Sequence, residues 1–135
     1  MAIIGTSLYE TEDYICEDDK KSDKPTVWKF GVCSHKIRSY LVKLSGQIDR
    51  KEPDVEKVWD TAFETVKYGL RGCQNLLDKS GKEIKFQSHE EELKGEKIQV
   101  VDNDFLNSIP KEQLIDLGGV IFQKNMVSEA ERKNS

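Results

Sequence analysis

The apolar positions of this 135-residue chain follow two periods, separated by polar runs. "TVWKFGV", Thr26 to Val32, alternates β-branched or aromatic residues with polar ones and predicts a strand. Ser34 then suits a helix N-cap. Ile37, Tyr40, Leu41 and Leu44 recur at i, i+3, i+4 and i+7, and Gly46 closes a short amphipathic helix. The clearest element opens at Pro53 and Asp54. Val55, Val58, Trp59, Ala62, Phe63, Val66 and Leu70 share one helical stripe there, opposite Glu56, Lys57, Asp60, Glu64 and Lys67. Gly69 and Gly72 are expected to break this helix, where a C′ glycine belongs.

The remaining segments are shorter. "AIIG" and "DYIC" within residues 1–15 suggest one or two short strands or an ordered arm, and "EDDKKSDKP" reads as a linker or long loop. After the long helix come Leu76 and Leu77, a "DKSG" turn with Gly81 suited to positive φ, and "KEIKF" as a return strand. "SHEEELKGE" reads as an exposed acidic loop and "KIQVV" as a second short strand. Asp102 or Asn103 can cap a short helix carrying Phe105, Leu106 and Ile109. Pro110 suits the first turn of a closing helix with Leu114, Leu117, Ile121 and Phe122 inward. Gly118 and Gly119 interrupt that helix and call for a close helix approach or a break. "SEAE", Ser128 to Glu131, fits a capping box, with "RKNS" as a frayed end. The expected architecture is an α+β fold: a mainly helical small domain over 26–127 with a short β-hairpin or small antiparallel sheet. An N-terminal arm and linker occupy 1–25, and a short tail occupies 128–135.

Charge and composition exclude several functions. Net charge is −4 and basic residues are interleaved with acidic ones, so the basic face that nucleic acid requires is missing. No segment reads as a signal peptide or a membrane span. The three cysteines, Cys16, Cys33 and Cys73, are widely spaced without a C-x-x-C, as in a reduced intracellular protein. His35 and His89 are isolated, and no metal, nucleotide or nucleophile-elbow motif is present. Glu56, Asp60 and Glu64 line one helix face, but opposite an apolar stripe they read as a solvated face. A thiol at Cys73, just past a helix C-terminus, is expected to resist ionisation. The expectation is therefore no enzyme, no cofactor and no metal. Trp59, Phe63 and Phe105 are expected in the core. Trp28 and Phe30 of the strand, with Ile37, Tyr40 and Leu41 of the first helix, are the candidate partner-binding groove, since aromatics favour interface centres.

The order of features resembles the tail assembly chaperone type of small proteins from long-tailed bacteriophages. "TEDYICEDDK", "PTVWKFGV", "KVWDTAFETVKYGLRG" running into "NLLDKSGKEIKF", and the closing "FLNSIPKEQLIDLGGVIFQKNMVSEAERKNS" carry the resemblance over most of residues 10–135. Its most distinctive parts are the G-x-x-G…D-x-x-G…I-x-F run and the terminal S-E-x-E-R-K-N. The chain departs from the type at Cys73, where a tryptophan is frequent, and at Gly118-Gly119. The resemblance implies binding to the tape measure protein, recruitment of tail tube protein, scope for self-association, residence in the cytoplasm of the infected host and absence from the mature virion. It also implies a longer frameshifted product, for which Arg132-Lys133-Asn134 permits an A AAA AAC codon run. The alternative within the same genomic setting is a minor structural protein of the tail or connector that stays in the particle. A small enzyme using Cys73 is the third reading.

Overall fold

The computed structural model describes residues 10–126. It is an α+β fold whose described elements include four α-helices and two small antiparallel sheets. Strands β1 (Thr11–Tyr14), β2 (Val27–Gly31) and β3 (Leu70–Gln74) form one sheet in the order β1-β2-β3. Strands β4 (Ser88–Leu93) and β5 (Glu96–Val101) form a separate hairpin. The helices are α1 (His35–Gly46), α2 (Val55–Gly69), α3 (Asn103–Ser108) and α4 (Lys111–Met126).

Helix α2 is the centre of the molecule, packed against α4, α1, β5 and α3. Asp54 caps it, its side chain accepting from the Glu56 amide at 3.0 Å. Two buried clusters meet around it. One joins Trp28, Phe30, Val66, Leu70, Val101, Phe105, Leu106, Leu117 and Ile121. The other joins Cys33, Ile37, Leu41, Tyr68 and Val100. Each thus draws on residues far apart in sequence, as a single-domain core should.

Two of the helix glycines, Gly69 and Gly118, serve packing. Gly118 of α4 lies against Ala62 of α2, where an added Cβ would sit 3.0 Å from Ala62 Cβ and 3.1 Å from Ala62 Cα. This is the close helix approach that the Gly118-Gly119 pair predicted, with no break in α4. Gly69 differs from expectation. It is not a left-handed C′ residue, for its φ is not among the positive values, and α2 passes straight into β3. Its requirement is space, because a Cβ there would collide with Ile121 Cγ2. Gly72 lies within β3 beside the Lys29 side chain.

Other expectations shift as well. The stretch read as arm and linker is tied to the domain from residue 10 onward: β1 pairs with β2, Cys16 is buried, and Asp19 accepts from Thr26 N at 2.6 Å and from Ser22 Oγ at 2.7 Å. Polarity alone cannot distinguish a linker from a loop that closes on its own side chains. "KEIKF" forms no ladder and keeps one bridge, Leu77 to Glu83, past the expected turn at Asp78 and Gly81 (φ +87°). "SHEEEL", read as a loop, is strand β4. Its glutamates hid a strand because one side of the hairpin faces water. The turn that makes it is Lys94-Gly95, with φ +51° and +81°, the positive pair that two-residue hairpin loops need. The "AIIG" segment, the "SEAE" box and the 128–135 tail lie outside the described residues.

Candidate partner-binding groove

Four of the five residues expected at a partner surface lie inside the monomer. Trp28, Phe30, Ile37 and Leu41 are each at most 3% exposed. Strand β2 is the middle strand of its sheet, and Ile37 and Leu41 belong to the cluster under Tyr68 and Val100. Burying Trp28 withdraws about 150–250 Å² from water, worth at most roughly 4–6 kcal/mol, so that side chain stabilises the fold. Tyr40 is half-buried, edge-on to Tyr68 with ring centroids 5.8 Å apart, and its hydroxyl donates to Glu64 Oε1 at 3.1 Å. Burial, then the Glu64 charge, push the Tyr40 hydroxyl up to about 12. The groove expected between Thr26–Val32 and Ile37–Leu41 is therefore filled by the protein itself.

The opposite face of α2 is solvated at Glu56, Lys57 and Asp60, as expected, but not over its second half. Glu64 is half-buried against α1, and Lys67 reaches Glu91 of the hairpin at 3.1 Å. Being central, α2 is covered on both faces along its second half.

Its first half is another matter. Val55 and Trp59 are 61% and 41% exposed, although the apolar stripe placed both inward. The stripe is real, but its first turns lie beyond the Ala62–Gly118 crossing, where α4 covers the helix. There Trp59, Phe63, Leu106, Ile109, Leu114 and Ile115 line an open groove of about 270 Å³ between α2 and the α3–α4 turn. Asp60, Asn107 and Lys111 supply its polar rim. Lys111 Nζ stands 4.5 Å from the centroid of the Trp59 ring, a cation–π contact of about 0.5–1 kcal/mol at an exposed site. A volume this small falls under the 300–1,000 Å³ of ordinary small-molecule sites and fits a few apolar side chains.

Chemistry is poorly supported elsewhere. Burial first, then Asp116, push the Cys16 thiol up to about 12, and burial with the Glu83 charge does the same for Cys73. Burial also raises Cys33, against the opposing pull of Arg71. Cys73 resists ionisation for a reason other than the helix end, since it sits within β3. Among the described residues no group of three or more His, Cys, Asp or Glu side chains is arranged to hold a metal ion, and no helix is long and apolar enough to cross a membrane.

Sequence reasoning missed Asn125. It is buried near the end of α4, where its Oδ1 accepts from Cys33 N at 2.6 Å and its Nδ2 donates to Ile121 O at 2.9 Å. It clamps α4 to the join between β2 and α1, and the only sequence signal was a polar residue one turn beyond Ile121 on the buried face. Comparison with family models, curated proteins and solved structures finds no match to this chain.

Proposed function

We propose that this chain is a tail assembly chaperone of a long-tailed bacteriophage, without enzymatic activity, that binds the tape measure protein and assists assembly of the tail tube. The observation that carries the reading is the Trp59 groove: an open apolar cleft bounded by two helical walls, with an aromatic anchor at its mouth. An amphipathic helix can lay a stripe of i, i+3, i+4 and i+7 side chains into such a cleft. The part of α2 that lines the groove, Trp59 to Phe63, spans about 6 Å, room for roughly one turn of a partner helix. A tape measure protein exposes long apolar helical stripes until the tube encloses it, and covering them prevents aggregation. The proposed site of action is the host cytoplasm, with tail tube protein as a second partner.

The test is co-expression with the tape measure protein encoded beside this chain, followed by pull-down and by mass spectrometry of mature particles. Capture in the extract with no copies in the particle supports the chaperone. Stable copies in the particle overturn it in favour of a structural tail or connector component. Trp59→Ala should keep the fold, because the ring is 41% exposed. It should also weaken capture about 30-fold, the effect of losing roughly 2 kcal/mol at an interface anchor. Undiminished capture by the folded variant places the partner elsewhere.

A further inference from the structure

His89 of β4 lies between two carboxylates. Its Nδ1 lies at hydrogen-bond distance from Asp102 Oδ1 and its Nε2 from Glu91 Oε2. With both carboxylates ionised, both ring nitrogens must carry protons, so the ring is the imidazolium. Glu91 also accepts Lys67 Nζ of α2 through Oε1, and Glu64 and Tyr68 stand near that lysine. The hydrogen bonds to Asp102 first, and to Glu91 second, raise His89 above its ordinary 6.5.

Asp102 occupies a second role by position. It is the N-cap residue of α3, where an aspartate ordinarily turns its carboxylate onto the amide of the second or third helical residue. Those amides belong to Asp104 and Phe105. Here the side chain makes no cap bond, and the carboxylate is directed at His89 instead. By position, the Asp102 carboxylate thus has two candidate sets of donors, the His89 ring and the first amides of α3.

We propose that His89 and the N-terminus of α3 compete for the Asp102 carboxylate, so that the protonated ring leaves α3 uncapped and loss of that proton caps it. The sign follows from linkage. A pKa raised in the folded state gives stability that is full below 6.5 and is lost as pH rises through the folded value. The restored cap offsets part of that loss. Because α3 carries Leu106 of the Trp59 groove, the exchange reaches one wall of that groove, and it operates whatever the groove binds.

The experiment uses the ¹⁵N-labelled chain alone, titrated by NMR from about pH 5 to about pH 9. The His89 ring should titrate above 6.5, and the Asp104 or Phe105 amide should shift downfield with the same midpoint. In Glu91→Gln both midpoints should fall together. In His89→Ala the amide should hold its high-pH position throughout. An Asp104 or Phe105 amide that ignores the His89 midpoint overturns the proposal. So does one that still titrates in His89→Ala. Should His89→Ala not fold, the wild type and Glu91→Gln decide the matter alone.

Discussion

The two adjacent glycines of α4 allow a controlled test of the α2–α4 packing. Replacing either by alanine adds one methyl group and removes the same backbone entropy from the unfolded chain, a gain of about 0.8–1 kcal/mol in a helix interior. The surroundings then separate them. Gly119 is exposed, and an added Cβ meets nothing within 4 Å. Gly118→Ala places its Cβ 3.0 Å from Ala62 Cβ, 3.1 Å from Ala62 Cα and 3.2 Å from Ala62 O. Carbon pairs prefer about 3.5–4.0 Å, and two of these three neighbours are backbone atoms that cannot rotate away, so α2 and α4 must separate by about half an ångström. Overpacking of this kind costs about 1–3 kcal/mol. Gly119→Ala should therefore stabilise by somewhat under 1 kcal/mol, while Gly118→Ala should be neutral to destabilising by about 2 kcal/mol. Urea unfolding followed by tryptophan fluorescence measures both, with equal m-values required for the comparison. Equal stabilisation by the two substitutions would refute the close approach.

Asn125→Ala should destabilise by about 1–3 kcal/mol, because the buried Cys33 amide loses its acceptor at 2.6 Å; a neutral midpoint in the same assay contradicts the clamp. The thiols should be inert in the native chain. With Cys16 and Cys73 held near 12, about one molecule in ten thousand carries either thiolate at pH 8, so iodoacetamide should react only as fast as the protein opens. A native thiol alkylated at the rate of free cysteine would break this account. The same shifts predict stability that falls as pH rises from 9 towards 12, where unfolded thiols ionise and folded ones do not, measurable as a declining urea midpoint.

What was legible in the sequence is what local chemistry controls. The 3.6 period marked α1, α2 and α4, the alternation in "TVWKFGV" marked β2, Pro53-Asp54 marked the start of α2, and "DKSG" marked a turn. Each signal acts over a few residues, so each survives without knowledge of the rest of the chain. The acidic strand β4 was illegible because a strand wetted on one side needs only a partner and a turn, and its glutamates suit that wet side. Periodicity also cannot say how far along a helix its neighbours extend. The apolar stripe predicted from Val55 to Leu70 has no gap in the sequence, yet Val55 and Trp59 are 61% and 41% exposed while Val66 and Leu70 are at most 2% exposed. The sequence by itself determined which faces are apolar. Only the tertiary structure decided which of those faces are buried, because burial depends on where two helices cross, and that crossing is set by contacts such as Gly118 on Ala62 between residues 56 positions apart.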